Sequence, residues 1–122
     1  MSLPHILVVE DLEELRLLAR LTLGSLGDVQ CVADGAAALA SVAQTPPDLI
    51  LLDVWLGPGP SGLDVCRQLK SSPATQAIRI VLLSACGQQS DIEAGLAAGA
   101  DRYIVKPFSP DHLYEVVAGL LG

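Results

Sequence analysis

Five short apolar runs alternate along the chain with segments in which apolar residues recur at the spacing of an α-helix. The runs predict β-strands at residues 5–9, 29–32, 48–53, 78–83 and 102–105. The first, third and fourth runs are apolar, which is typical of strands covered on both faces, whereas the second is mixed and is predicted at an edge. The pattern favours an α/β fold: a doubly wound sheet of five parallel strands with helices on both faces.

The segments between the runs predict helices at residues 12–26, 35–44, 62–71, 88–98 and 109–121. Gly27 and Gly99 follow the first and fourth of these helices and are predicted to form left-handed C-caps. The sequence Gly-Pro-Gly-Pro-Ser at residues 57–61 predicts a loop directly after the third strand.

The length of 122 residues suits one domain. A hydrophobic content of 51% with 3% aromatic residues predicts an aliphatic core and disfavours a surface on which nucleobases stack. Met1, Ser2 and Leu3 precede the first strand and could be a remnant of cloning, in which case the chain is cut from a longer protein.

The net charge of −7 opposes general binding to nucleic acid or to an anionic membrane, so the expected partners are a protein, a cation or both. Cys31, Cys66 and Cys86 are odd in number and form no closely spaced pair, which argues against a disulfide framework and against a zinc site. Because no apolar stretch is long enough to span a membrane and no basic leader precedes the first strand, we expect a cytoplasmic protein without membrane contact.

Candidate chemistry collects at the carboxyl ends of the predicted strands. Glu10 and Asp11 follow the first strand, Asp53 ends the third, Ser84 follows the fourth and Lys106 follows the fifth. Parallel strands bring their carboxyl ends to one edge of the sheet, where ligands of such folds bind. The sequence therefore predicts three carboxylates, a hydroxyl and an ammonium group at one edge.

Three carboxylates at one edge repel each other unless a cation or protons compensate them. Mg²⁺, or alternatively Mn²⁺, is the expected cofactor, because the ligands are oxygen atoms and no His or Cys lies nearby in sequence. A divalent cation beside a carboxylate nucleophile and a lysine favours phosphoryl transfer onto Asp53. His5 and His112 stand alone and receive no metal role.

Four motifs resemble the receiver domain of two-component response regulators. They are ILVVED at residues 6–11, LILLDVWL at 49–56, VLLSA at 81–85 and GADRYIVKPF at 99–108. The resemblance covers the chain from His5 to Leu120, so residues 1–122 are interpreted as a single receiver domain. It implies a flavodoxin-like sheet with strand order 2-1-3-4-5 and a signalling switch that is not an enzyme, beyond Mg²⁺-dependent self-phosphorylation and self-dephosphorylation.

The resemblance implies that Asp53 is the phosphoacceptor. Asp11 and Asp53 would bind the metal directly and Glu10 mainly through water, while the main-chain carbonyl of Trp55 would complete the ligand set. The phosphoryl donor would be a histidine kinase or a phosphotransfer protein.

The resemblance also implies a role for the residues around the phosphoryl group. Lys106 would contact that group, and the bond from Lys106 to Pro107 would be cis. Ser84 would be the switch hydroxyl, followed by the small Ala85, and Tyr103 would be the aromatic residue that turns inward when the switch closes.

The loop after Asp53 departs from the family pattern. The family usually has a proline four residues after the phosphoacceptor and a glycine eight residues after it. Here Gly57 occupies the first position, Pro58 follows it, and Gly62 is one residue late, so a single insertion is expected.

Two surfaces are candidate partner sites. Leu17 and Leu21 lie on the otherwise polar side of the first helix and are a candidate docking surface for the phosphoryl donor. The second surface is formed by helix 4, strand 5 and helix 5, where a second copy or an effector could bind. There, Ala94, Ala97 and Ala98 are expected to lie away from buried Ile92 and Leu96.

The sequence also fits other interpretations. Asp11 and Glu14 fit a helix capping box, and Ser84 could cap the fourth helix. Alternative functions are a degenerate receiver that serves as a docking scaffold and an aspartate-nucleophile phosphatase of the haloacid dehalogenase type. That phosphatase would need a second aspartate where Trp55 stands, and a flavin-binding flavodoxin would not place Glu10 and Asp11 at its phosphate loop.

Overall fold

A computed structural model describes residues 3–122 of the chain. Two of the three residues interpreted as a cloning remnant, Met1 and Ser2, lie outside the described residues. No helix within residues 3–122 combines the length and the apolar character needed to cross a bilayer.

Strands and helices alternate strictly along the chain, as the hydrophobic pattern predicts. The elements are β1 His5–Val9, α1 Glu13–Leu23, β2 Asp28–Val32, α2 Gly35–Gln44, β3 Leu49–Asp53, α3 Gly62–Lys70, β4 Arg79–Ser84, α4 Gln89–Ala97, β5 Arg102–Val105 and α5 Pro110–Leu121. Every predicted boundary is correct to within one residue except the end of the first helix, which stops at Leu23 instead of residue 26.

The five strands form one parallel sheet in the order β2-β1-β3-β4-β5. The predicted strand order is therefore confirmed. All five residues of β3 are buried, whereas β2 has two exposed and three half-buried residues. This difference explains why β3 reads as a continuous apolar run and β2 as a mixed one.

Alternate residues of the central strands face two separate hydrophobic layers. On one face Leu7, Ile50 and Leu82 pack with side chains of α2 and α3. On the other face Ile6 and Leu51 pack with side chains of α1 and α5. Both faces are covered, so the functional groups at the strand ends lie on a rigid support.

The two predictions of a left-handed glycine cap, at Gly27 and Gly99, differ in outcome. Gly99 has a φ of 106°, which confirms the left-handed conformation predicted there. Gly27 has no positive φ, so its predicted left-handed cap is wrong. A side chain at residue 27 would collide with the carbonyl oxygen of Pro4, and α1 has already ended, with Gly24 as its right-handed C-cap. Close backbone approach, not helix capping, therefore explains Gly27.

The orientation of α4 differs from the prediction. Leu96 is 47% exposed and Ile92 is half-buried, whereas Gly95 and Ala98 face the protein interior. The prediction that Ile92 and Leu96 are buried and Ala98 exposed is therefore wrong. At Gly95 the backbone of α4 lies directly against the Tyr103 ring and Leu82, with no room for a side chain between them, so this side of the helix faces inward.

Candidate functional site

The carboxyl ends of the strands bring the predicted polar side chains together. Glu10 follows β1, Asp53 ends β3 and Ser84 ends β4, and these side chains are the buried polar ones found within residues 3–122. Glu10 is 1% exposed and Asp53 is 3% exposed. Burial of two carboxylates is costly unless each is paired, so their partners determine what this site can do.

Lys106 lies between the two buried carboxylates. Its Nζ is 2.7 Å from Oδ2 of Asp53 and 3.3 Å from Oε2 of Glu10. The residue follows β5, at the edge of the sheet, and its stem crosses towards the end of β3. A single ammonium group therefore compensates two buried carboxylates, which leaves a net negative site.

Main-chain groups hold the remaining carboxylate oxygens. The N–H of Trp55 donates to Oδ1 of Asp53 at 2.9 Å, and the N–H of Leu12 donates to Oε1 of Glu10 at 3.3 Å. Asp53 thus has one oxygen on an amide and the other on an ammonium group. These contacts fix the orientation of its carboxylate before any ligand is present.

Asp11 completes an acidic cluster. One carboxylate oxygen from each of Glu10, Asp11 and Asp53 lies within 4.8 Å of the other two, and Asp11 is the exposed member. Oxygen donors at this spacing suit a hard divalent cation that also keeps bound water. The cluster is therefore a candidate cation site that opens to solvent beside Asp11.

The burial and the negative charges change the protonation of this site. Burial, a hydrogen bond with Asp53 and the charge of Asp53 raise the pKa of Glu10 from 4.5 to about 8, against smaller lowering effects of Lys106 and the Leu12 N–H. Burial opposes the charge on Lys106, but Asp53 and Glu10 outweigh it and raise the pKa of Lys106. In the metal-free protein these shifts favour the protonated form of Glu10 and the charged form of Lys106.

A dependence of stability on pH follows from the raised pKa of Glu10. Between about pH 4.5 and pH 8 the folded state holds a proton that the unfolded state releases, so the free energy of unfolding decreases as the pH rises through this interval. We expect urea unfolding in the presence of a chelator to show this decrease. Glu10→Gln has a similar shape and no charge, so its stability should not show the decrease, and the difference between the two proteins cancels the terms that they share. A difference that stays constant over the interval would contradict the expectation.

The two predicted switch side chains both contact the main chain of Cys86. Oγ of Ser84 accepts from the N–H of Cys86 at 3.1 Å, and the hydroxyl of Tyr103 donates to the Cys86 carbonyl at 2.7 Å. The hydroxyl of Ser84 therefore has the Cys86 N–H as a hydrogen-bond partner, and Tyr103 lies half-buried. A cavity of about 80 Å³ separates this region from the exposed Trp55.

The structural interpretations of Asp11 and Ser84 are not observed. The N-cap of α1 is Leu12, which has no side-chain cap, so Asp11 and Glu14 form no capping box. The N-cap of α4 is Gln88, so Ser84 does not cap that helix. The predicted X-Pro bond at Lys106 is cis.

Arg16 is a site residue that sequence reasoning missed. Its Nη1 donates to the main-chain carbonyl of Glu10 at 2.8 Å, which ties α1 to the turn that carries the acidic cluster. The helical pattern places Arg16 on the polar face of α1, and this position gives no sign of a contact with main chain.

The insertion after Asp53 is accommodated within the loop. Gly57 and Gly59 take positive φ values of 78° and 94°, conformations that favour glycine. Gly62 then returns to the end of β3, where its N–H donates to the carbonyl of Val54 at 2.9 Å. The extra residue therefore changes the outer loop and leaves the start of α3 in contact with the strand that carries Asp53.

Of the two candidate partner surfaces, the one on α1 is exposed as predicted. Leu17 is 56% exposed and Leu21 is 74% exposed. The pair lies on the same side of the helix, since the two positions are four residues apart.

The fold and the site together define a class of protein. A parallel sheet in the order 2-1-3-4-5, with an acidic cluster and a lysine at its carboxyl edge, is the flavodoxin-like receiver fold. A chemotaxis response regulator of Vibrio cholerae, CheY4, has this fold with a TM-score of 0.90 and 26% sequence identity, over 98% of this chain and 99% of that one.

Sequence comparisons specify the family. The model of the response regulator receiver domain matches residues 6–118. The chain is 42% identical over 120 residues to the phosphate regulon transcriptional regulatory protein PhoB of Rhizobium meliloti, covering 98% of this chain and 52% of that protein. It is 43% identical over 118 residues to the DNA-binding response regulator MtrA of Mycobacterium tuberculosis, covering 96% and 50%. The chain belongs to the response regulator receiver domain family of two-component signalling and spans about half the length of these curated relatives.

Proposed function

We propose that this chain is a phosphorylation-controlled switch in which Asp53 accepts a phosphoryl group from a histidine kinase or a phosphotransfer protein. The observation that carries the proposal is the 2.7 Å contact between Lys106 Nζ and the carboxylate of Asp53, inside an acidic cluster. An oxygen of Asp53 attacks phosphorus, the bond from phosphorus to the donor nitrogen breaks, and the donor imidazole leaves with that electron pair. Lys106 compensates charge on the transferred phosphoryl oxygens.

Mg²⁺, with Mn²⁺ as an alternative, fits the oxygen donors of this site. Asp11 and Asp53 would hold it directly, Glu10 through water and Trp55 through its main-chain carbonyl. When bound, the cation supplies neutralisation of the phosphoryl oxygens. Support comes from the three carboxylate oxygens that lie within 4.8 Å of one another.

The proposed activity is that of a switch and not of an enzyme with turnover on a separate substrate. Trp55, two residues after Asp53, has no group that can serve as the second acid of an aspartate-nucleophile phosphatase. The contact between buried Asp53 and half-buried Lys106 supports a working phosphoacceptor over a degenerate scaffold. Self-phosphorylation from small donors and self-dephosphorylation are the reactions that we assign to the chain.

Two faces are proposed to serve partners. The phosphoryl donor would dock on exposed Leu17 and Leu21. The surface of α4, β5 and α5 would bind a second copy or an effector, and Leu96, Val105 and Tyr114 are its exposed apolar residues.

The net charge of −7 disfavours direct binding of nucleic acid by this chain, and the three free cysteines suit the reducing cytoplasm.

Incubation with acetyl phosphate and Mg²⁺, followed by intact mass measurement, tests the proposal. We expect one phosphoryl adduct on the natural chain and none on Asp53→Asn, because the amide is a poor nucleophile. Asp111→Asn is the matched control, since Asp111 is an exposed acid in α5, and it should keep the adduct. An adduct that persists on Asp53→Asn, or its absence from the natural chain with every donor, would overturn the proposal.

A further inference from the structure

Gly95 is the buried position of α4. A β-carbon at this residue would lie 2.8 Å from Cδ2 and 3.0 Å from Cε2 of Tyr103, and 2.9 Å from Cδ1 of Leu82. Such separations are too short for carbon atoms that are not bonded. The ring of Tyr103 therefore packs directly on the backbone of α4, at a place where a side chain would exclude it.

Helix formation does not explain a glycine at this position. Glycine is one of the least favourable residues in a helix interior, and its neighbours Ala94, Ala97 and Ala98 are the most favourable. An alanine at residue 95 would suit the helix better. Close approach of the Tyr103 ring, together with the end of the Leu82 side chain, is the feature that leaves no room for a side chain at residue 95.

The position of this ring is linked to Ser84 through a single residue. The Tyr103 hydroxyl donates to the carbonyl of Cys86, and the N–H of Cys86 donates to Oγ of Ser84. A ring moved away from α4 by a side chain at residue 95 would lose its place beneath the helix. The contact at Gly95 thus affects the hydrogen bonds that connect Tyr103 of β5, through Cys86, to Ser84 at the end of β4.

We propose that Gly95 is a positioning residue of the switch: because it has no side chain, the Tyr103 ring can pack inward against the backbone of α4. The link to switching rests on the proposed function, whereas the packing itself does not. Because the ring packs on the backbone of α4, the position of α4 is coupled to that of Tyr103. A side chain at residue 95 moves the ring outward.

Fluorine NMR of protein labelled with 3-fluorotyrosine tests this proposal directly. The chain has two tyrosines, so two resonances are expected, and Tyr103→Phe assigns them. Tyr114 is 40% exposed and serves as the internal reference. Without metal or phosphoryl donor, Gly95→Ala should shift the Tyr103 resonance towards that of a solvent-exposed ring and leave the Tyr114 resonance in place. An unchanged Tyr103 resonance in folded Gly95→Ala would overturn the proposal.

Gly119→Ala in α5 is the matched control. A β-carbon there meets nothing within 4 Å, so this variant should gain a few degrees in its unfolding temperature and leave both resonances unchanged. Gly95→Ala should show no such gain. If Gly95→Ala does not fold, the double variant with Tyr103→Ala should fold, since the ring is gone and only the flexible end of the Leu82 side chain, at 2.9 Å, still has to move. Failure of the double variant as well would contradict Tyr103 as the partner of Gly95.

The outcome is separable from that of the proposed function. Gly95→Ala should still form one adduct on Asp53 with acetyl phosphate and Mg²⁺, because Gly95 does not contact the acidic cluster. A shifted Tyr103 resonance with no adduct on the natural chain would leave the packing proposal standing and remove the phosphoacceptor proposal. An adduct with an unshifted resonance would do the reverse.

Discussion

Lys106→Met is expected to lower the rate at which acetyl phosphate labels Asp53 by about 10²- to 10³-fold, the usual cost of removing one donor that stabilises a developing negative charge. Methionine has a similar length and no charge. The Lys106 ammonium is 2.7 Å from Asp53 and 3.3 Å from Glu10. Within residues 3–122, Lys106 is the cation that pairs with these two buried carboxylates. Its loss therefore leaves both without an ion pair.

The measurement is the initial rate of adduct formation by intact mass at a fixed Mg²⁺ concentration. Lys70→Met is the matched control, because Lys70 and Lys106 are the two lysines of the chain. Nζ of Lys70 lies 3.1 Å from Asp101 and 2.7 Å from the carbonyl of Ile78, away from the acidic cluster. That variant should lose stability and keep its labelling rate. A folded Lys106→Met protein that is labelled as fast as the natural chain would show that the ammonium does not act on the phosphoryl group.

The candidate site could be predicted because it depends on topology more than on side-chain packing. Glu10, Asp53 and Lys106 each stand at the carboxyl end of an apolar run, and parallel strands place such ends at one edge. The three meet there as predicted, with Lys106 in contact with both acids. Hydrophobic period and strand polarity suffice for this step.

Features that depend on packing between elements could not be predicted in the same way. The hydrophobic pattern places Leu96 of α4 inside, yet it is 47% exposed, because the Tyr103 ring from β5 occupies the space beneath Gly95. Gly27 fits a helix cap in sequence, but its constraint comes from the carbonyl of Pro4 across the fold. Arg16 looks like a solvated residue, and its bond to the Glu10 carbonyl appears only once α1 is docked. Each of these contacts joins residues from different elements. The periodicity of one element does not predict how the elements are placed relative to each other.

Gly62 shows how such a contact supports the site. It is the first residue of α3, after the Ser61 N-cap, whose hydroxyl and main-chain N–H exchange hydrogen bonds of 3.1 Å with Asp64. A β-carbon at residue 62 would collide with the main-chain carbonyl oxygen of Asp53 and come within 2.8 Å of Cα of Val54. The start of α3 thus lies directly on the backbone that carries the proposed phosphoacceptor.

Gly62→Ala is expected to reduce the free energy of unfolding by about 3 kcal/mol or more, at the upper end of the cost of overpacking a core. The atoms that the β-carbon would meet are main-chain atoms of Asp53 and Val54, so no flexible side chain can move away to relieve the collision. Any relief requires α3 to move off β3 or Asp53 to shift from its contacts with Trp55 and Lys106. We therefore also expect slower labelling of Asp53 by acetyl phosphate in whatever fraction stays folded. Urea unfolding and intact mass measure the two effects.

Gly59→Ala separates this steric effect from backbone strain. Gly59 lies in the loop before α3 with a φ of 94°, but a β-carbon there meets nothing within 4 Å. Alanine at residue 59 should cost about 1–2 kcal/mol through its left-handed conformation and leave labelling of Asp53 unchanged. If Gly62→Ala were no less stable than Gly59→Ala and were labelled at the same rate, the contact between α3 and the end of β3 would not be what holds Asp53 in place. The larger loss at residue 62, together with slower labelling, would instead show that the inserted loop preserves this contact and through it the geometry of the site.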